Sequence, residues 1–163
     1  MISKRHILLA ASLALMVAAP ATAQVMTPAE YVATAGASDL FERQSAQIVL
    51  ETTTDANVRS FATMMLSAHA QSTAEVKAAA AKSKVPAPPP VLTPLQMEMI
   101  AELRAETGAA RDALYIAQQK AAHGQALSVQ QAYASGGTAA ALRMAAAKIV
   151  PVVSEHIAML MKM

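Results

Sequence analysis

The chain has 163 residues, no cysteine and nearly balanced charge, with 13 lysines and arginines against 11 aspartates and glutamates. Without cysteine the protein forms no disulfide and has no thiol nucleophile. Aromatic residues make up only 3% of the chain and the basic residues form no run, which argues against nucleic-acid binding. The length corresponds to one ordinary domain.

The first residues have the pattern of an export signal. Lys4 and Arg5 precede an apolar segment over 7–19, and Ala21-Thr22-Ala23 has the small-x-small form of a cleavage site. We therefore expect a signal peptide at 1–23, a mature domain at 24–163 and a location in the periplasm. The apolar segment is too short to span a bilayer, so we expect no transmembrane anchor.

Capping patterns predict two helices in the first half of the mature chain. Thr27-Pro28-Ala29-Glu30 forms a capping box and opens a helix that runs to about residue 52. The polar cluster 52–55 breaks that helix and caps a second one over 56–83. Prolines within 85–90 exclude helix there and predict a stiff crossover.

The second half follows the same logic. Thr93-Pro94-Leu95-Gln96 opens a short helix to about residue 105, and a longer helix follows over 109–135. Gly136-Gly137 ends it, Thr138 is the predicted cap of a last helix to about residue 161, and Pro151 should kink that helix. The predicted fold is all-α: an antiparallel four-helix bundle with a Pro-rich crossover and a short extra helix.

Three histidines fall on the apolar faces of three different predicted helices. Residues three and four apart share a helix face, which places His69 with Met65 and Val76, and His156 with Val153 and Leu160. His123 lies nearer the edge of its apolar arc. On the first helix Glu42 also points inward, so the four predicted site residues are Glu42, His69, His123 and His156.

Helix rise indicates how closely these side chains approach one another. Measured from two turns taken to lie at the same end of the bundle, Glu42 is roughly 17 Å deep, His69 and His123 roughly 20 to 23 Å, and His156 roughly 28 Å. His156 is thus expected about one turn deeper than the rest. At that same end, Arg59 and Glu51 are expected to form a pair on the solvent side.

Two interpretations of the buried histidines stay open at this stage. The first is structural, with each ring satisfied by a carboxylate, a carbonyl or a water. The second is a metal site for zinc, iron or copper. Methionines near His69 and at the C-terminus suit copper, although methionine is also a common core filler.

The sequence resembles a bacterial exported family known as domain of unknown function 4142. The resemblance covers nearly all of the mature chain and is carried by Phe41-Glu42 ahead of Leu50-Glu51, the segment 57–65, Thr107-Gly108-Ala109-Ala110, Tyr115 with His123, and Val150-Pro151 ahead of His156. It implies a ferritin-like helical bundle, and some members are labelled outer-membrane proteins. No activity comes with the resemblance.

The chain departs from that family pattern at two positions. Ala68 stands where members carry an acidic residue directly before the histidine of the second helix, which removes one candidate partner for a metal. Arg111 stands where an aromatic residue is common. The Glu-x-x-His element of ferritin-type iron centres is also missing, which argues against a di-iron centre.

The predicted function is that of a non-enzymatic exported bundle, acting as a binding or an envelope- or stress-associated protein. The alternative is a metal-binding protein or metalloenzyme that uses the Glu42 and histidine site. A protein partner or a homo-oligomer is compatible with either.

Overall fold

The computed structural model describes residues 26–163, and within that range the chain forms five α-helices and no β-strand. The predicted signal peptide lies outside the described residues. The helices are α1 (Pro28–Leu50), α2 (Ala56–Lys82), α3 (Pro94–Ala105), α4 (Gly108–Gly136) and α5 (Ala140–Leu160).

Local capping explains where most of the helices begin. The Thr27 backbone N–H donates to Glu30 Oε2 at 2.7 Å while Thr27 Oγ1 accepts from the Glu30 N–H at 3.3 Å, which is the predicted capping box. Thr93 and Gln96 repeat it on α3. The predicted cap Thr138 is wrong: Ala139 is the N-cap of α5 and no side chain caps it.

The four long helices form a bundle in which every neighbouring pair is antiparallel. Tyr31 at the start of α1 stacks on Tyr133 at the end of α4, with ring centroids 3.9 Å apart. Arg111 at the start of α4 donates to the carbonyl of Ile48 at the end of α1 at 2.8 Å. Helix α5 packs on α4 and α2 and continues through Pro151.

The crossover determines this connectivity. Because α2 and α4 run parallel across the diagonal of the bundle, the chain has to return along the bundle's length between them. The Pro-rich segment and α3 cover that distance, and α3 packs on α1 and α4. The α1–α2 turn and the α4–α5 turn therefore lie at opposite ends of the bundle.

A polar layer divides the interior into two apolar clusters. The first cluster contains Tyr31, Val76, Tyr133, Leu142 and Ile149 and lies at the end of the α4–α5 turn. The second lies at the other end and contains Phe41, Val58, Met65, Tyr115 and Leu160. The buried polar residues between them are Asp39, Glu42, His69, Gln119, His123 and His156.

Across residues 26–163, none of the helices is apolar enough over a sufficient length to cross a bilayer.

Candidate metal centre

His69, His123 and His156 converge in the polar layer from three helices, α2, α4 and α5. Their ring centroids are 5.4 to 5.9 Å apart, and one ligand atom from each ring lies within 4.8 Å of those of the other two. All three side chains are buried, with 1 to 6% of their surface exposed. The structure thus brings together the three histidines named by the sequence.

The predicted depth of His156 is wrong. The estimate measured all four residues from turns at one end of the bundle, whereas the α1–α2 and α4–α5 turns lie at opposite ends. His123 and His156 are therefore both counted from the other end, and the ring centroid of His156 is 5.4 Å from that of His123 and 5.9 Å from that of His69. The opposite placement of the two turns makes their depths incomparable. In addition, side chains tilt towards the N-terminus of their helix, which moves the His123 ring away from the α4–α5 turn and the His156 ring towards it, so that the two rings lie level.

Asp39 on α1 orients the ring of His69. The His69 Nδ1–H donates to Asp39 Oδ1 at 2.9 Å, and Thr73 Oγ1 donates to Asp39 Oδ2 at 3.0 Å. When His69 is neutral, the proton on Nδ1 leaves a lone pair on Nε2, and this buried atom has no hydrogen-bond partner among residues 26–163. Sequence reasoning missed Asp39, although its position three residues before Glu42 places both carboxylates on one face of α1.

His123 is held in the same tautomer by a backbone carbonyl. Its Nδ1–H donates to the carbonyl of Gln119 at 3.0 Å, so Nε2 again carries the lone pair. In the described part of the chain, Nε2 of His123 and Nδ1 of His156 are buried without a hydrogen-bond partner. Each of the three rings therefore has one fully buried nitrogen without a hydrogen-bond partner in the described range.

Glu42 lies beside this cluster and outside the group of three. Its Oε1 is 3.5 Å from Nδ1 of His123, and neither carboxylate oxygen accepts a hydrogen bond from the described residues. Burial raises the pKa of Glu42 to about 7, against the opposing effect of the His69 charge. The group is thus a buried carboxylate next to the three histidines, with 1% of its surface exposed.

Burial also determines the protonation of the histidines. It lowers the pKa of His123 to about 3 and the pKa of His156 to about 4, with a smaller contribution from the His69 charge in both cases. Burial lowers the pKa of His69 as well, but the hydrogen bond to Asp39 and the Glu42 charge outweigh it and the net shift is upward. His123 and His156 are therefore neutral near pH 7, which is the form that binds metals.

The histidine cluster borders the second apolar cluster at an aromatic ring. The ring of Phe61 lies 6.2 Å from that of His123 and 6.4 Å from that of His156, measured between centroids. Met65 packs in the second apolar cluster, and Met159 and Met161 are 38% and 73% exposed. These positions are typical of core filling and of a chain end rather than of thioether ligands.

A polar pair was predicted near the α1–α2 turn, and the structure has different pairs there. Arg59 donates to the carbonyl of Thr53, and Glu51 pairs with Arg111 at 3.1 Å. The predicted pair of Arg59 with Glu51 is wrong because the buried Arg111 reaches Glu51 from α4.

Fold and site together define a class: a ferritin-like four-helix bundle with a buried histidine and carboxylate centre at mid-height. The chain belongs to the family described as Domain of unknown function (DUF4142), whose model matches residues 14–163. That result confirms the resemblance found in the sequence.

Other comparisons add the fold of one solved structure. A protein of Streptomyces coelicolor that is described as a secreted DUF305 protein is 15% identical to this chain, with a TM-score of 0.62. The match covers 82% of this chain and 88% of that one. At this identity the similarity shows a shared helical fold alone. No curated protein matches the chain.

Proposed function

We propose that this protein is exported and binds one divalent transition-metal ion in the core of its bundle. The ligands are Nε2 of His69, Nε2 of His123 and Nδ1 of His156. The observation that carries the proposal is that the three histidines bring one ligand atom each to within 4.8 Å of one another, and that each ring has a buried nitrogen without a partner among the residues of the described range.

Energetics support a metal over a purely structural role. Each buried polar atom without a hydrogen bond costs about 1–3 kcal/mol, and such atoms are rare in folded proteins. Here three imidazole nitrogens and both oxygens of Glu42 share one layer of the core. A cation would satisfy the nitrogens and compensate the charge of Glu42 at once.

The surrounding groups support the same interpretation. Histidines that bind metals usually donate their other ring N–H to a carboxylate or a backbone carbonyl, which fixes the tautomer. His69 does so to Asp39 and His123 does so to Gln119. Asp39 thereby provides, from α1, the acidic partner that Ala68 does not provide from α2.

The donor set favours zinc or copper. Imidazole nitrogens suit Zn²⁺ and Cu²⁺, and three histidines with one nearby carboxylate are typical of zinc sites. An iron centre of the ferritin type would need Glu-x-x-His elements, which this sequence does not contain. A role in metal binding or metal transfer in the cell envelope follows, without a catalytic step.

The location rests on the sequence. Residues 1–23 have the three regions of a cleavable signal peptide, and Ala21 and Ala23 occupy the small positions that the cleavage enzyme requires. Protein recovered from the periplasm should begin at Gln24 or within a residue or two of it. Recovery of intact Met1 in the cytoplasm would contradict export.

The test of metal binding is the zinc and copper content of untagged protein purified from the periplasm. We expect close to one ion per chain in the wild type and a loss of that ion in His69→Gln and His123→Gln. Leu142→Ala is the control, because it removes a buried side chain from the first apolar cluster and should destabilise the fold by about 2–5 kcal/mol without touching a ligand. The same metal content in all four proteins, or none in the wild type even after incubation with excess Zn²⁺ or Cu²⁺, would refute the proposal.

A further inference from the structure

A cavity of about 190 Å³ lies between α2 and α5 and reaches the histidine cluster from one side. We call it the α2–α5 cavity. The rings of His69 and His156 form part of its wall, and Gln71 and Lys148 at its outer part are exposed. The candidate metal centre is therefore connected to the protein surface.

The histidine cluster faces the cavity on one side and is closed on the other. Of the described residues, His69 and His156 line the cavity, whereas His123 and Glu42 do not. His123 and Glu42 lie in a closed layer with Gln119, whose side-chain amide donates to Ser45 Oγ at 3.1 Å. Within residues 26–163, the α2–α5 cavity thus meets the cluster on the side of His69 and His156.

Coordination chemistry gives this asymmetry a consequence. Zinc and copper bind four or more ligands, and sites with three protein ligands keep a further position for an exchangeable ligand. Three histidines converge here, and the two carboxylates on the cavity wall lie outside that group of three. Asp39 accepts hydrogen bonds from His69 and Thr73, and Glu75 accepts one from Gln71. We infer that a small monodentate ligand binds the metal from the α2–α5 cavity, an inference that rests on the proposed metal site.

The size and charge of the cavity limit the ligand. A water molecule takes about 30 Å³ in the liquid, and pockets for organic ligands have volumes of about 300–1,000 Å³. A cavity of about 190 Å³ thus accepts a few water molecules or a single small molecule up to about the size of benzene. The wall carries the charged side chains of Asp39, Glu75 and Lys148, and Asp39 is paired with His69, so the cavity selects neither anions nor cations strongly. The ligand class is water, hydroxide or another small donor that is neutral or singly charged.

Azide binding to the Cu²⁺-loaded protein tests this inference. After equilibrium dialysis has established one Cu²⁺ per chain, azide is titrated and the azide-to-copper charge-transfer absorption is recorded. We expect a saturable band with one azide per copper. Ser72→Leu should weaken azide binding by about tenfold or more, equivalent to ~1.4 kcal/mol, because Ser72 is half-buried on the cavity wall.

Two further variants keep the test decisive. Ser67→Leu makes the same change on an exposed face of α2 away from the cavity and should bind azide like the wild type. Val152→Trp narrows the cavity from α5, where Val152 is 42% exposed, and replaces Ser72→Leu if that protein does not fold.

The outcomes separate the two proposals. The inference that a small ligand binds the metal from the α2–α5 cavity is overturned if the protein binds one copper per chain but shows no azide band. It is also overturned if neither Ser72→Leu nor Val152→Trp weakens azide binding. Both results leave the proposed metal site intact. A wild-type protein that binds no copper overturns both.

Discussion

Asp39 and His69 come from different helices, and their side chains meet at 2.9 Å in the middle of the bundle. The carboxylate of Asp39 accepts the Nδ1–H of His69 and also a hydrogen bond from Thr73, so the ring is fixed with its Nε2 lone pair inside the cluster. Such a carboxylate raises the basicity of a metal-binding imidazole and holds its orientation. The consequences of this contact can be measured.

Replacing Asp39 by asparagine should weaken zinc binding by about 10- to 100-fold, because loss of the carboxylate leaves His69 a weaker and less ordered ligand. Isothermal titration of the metal-free protein measures the affinity. Asp112→Asn is the matched control: Asp112 is also buried, but it accepts from Thr53 Oγ1 at the end of the bundle. Equal affinities in the two variants would show that Asp39 does not act on the metal.

Glu42 should make the stability of the metal-free protein fall as the pH rises. Its pKa is raised by burial from 4.5 to about 7, so the folded state holds this proton more tightly than the unfolded chain does. The stabilising effect of the proton is complete below pH 4.5 and is lost progressively up to about pH 7. Glu42→Gln removes this loss and should be more stable than the wild type at pH 8 by on the order of 1–3 kcal/mol.

Urea unfolding at pH 5 and pH 8 in the presence of a chelator measures the Glu42 effect. The difference between the Glu42→Gln and wild-type free energies of unfolding should grow from pH 5 to pH 8. Glu155→Gln, at an exposed position on α5, is the control and should follow the wild type. If the difference in free energy of unfolding between Glu42→Gln and the wild type did not change with pH, this would contradict a raised pKa of Glu42 in the folded state.

Arg111 should be important for folding and irrelevant to the metal. Its guanidinium is buried and donates to the carbonyls of Glu106 and Ile48, which joins the start of α4 to the end of α1. Arg111→Ala leaves these carbonyls without their donor and should lower the free energy of unfolding by about 2–4 kcal/mol. Chemical denaturation measures the loss of stability. Metal titration of Arg111→Ala should give the same affinity as for the wild type. A lower affinity would show that Arg111 helps to hold the metal-binding residues in place.

Two glycines, one inside α4 and one at its C-cap, should change the stability in opposite directions when replaced by alanine. A Cβ on Gly137 would lie 2.6 Å from the ring and the carbonyl of Tyr133, so Gly137→Ala should lower the melting temperature. Gly124 lies inside α4 with open space around an added Cβ, and Gly124→Ala should stabilise the protein by about 0.5–1 kcal/mol through helix propensity. Differential scanning calorimetry of both variants checks the pair, and a stabilising Gly137→Ala would contradict the close approach.

Most of the fold could be predicted from the sequence because the signals for the helices are local. The capping boxes at Thr27 and Thr93 and the prolines of the crossover act within a few residues, and the predicted helix bounds differ from those of the structure by a residue or two. The last helix lacks such a signal at its start, and there the predicted cap at Thr138 was wrong. The kink at Pro151 stays a prediction.

The candidate site was harder to predict because it depends on contacts between helices. Helical periodicity placed Glu42 and the three histidines inside, but it gave no information on which ends of the helices meet. The crossover makes α2 and α4 parallel, so depths counted from the α1–α2 turn and from the α4–α5 turn are not comparable. The tilt of side chains towards the N-terminus of each helix then brings His156 level with His123. Asp39 was missed for the same reason, since its partner lies 30 residues away on α2.

The most direct test of the metal site is the thermal stability of the wild type and of His123→Gln, each with and without zinc. A metal that binds only the folded state adds its binding free energy to folding, by about 2.7 kcal/mol at a free concentration of 100 times Kd. We predict that zinc raises the melting temperature of the wild type by several degrees and leaves that of His123→Gln nearly unchanged. Equal shifts in the two proteins, or no shift in either, would contradict a metal site formed by these histidines.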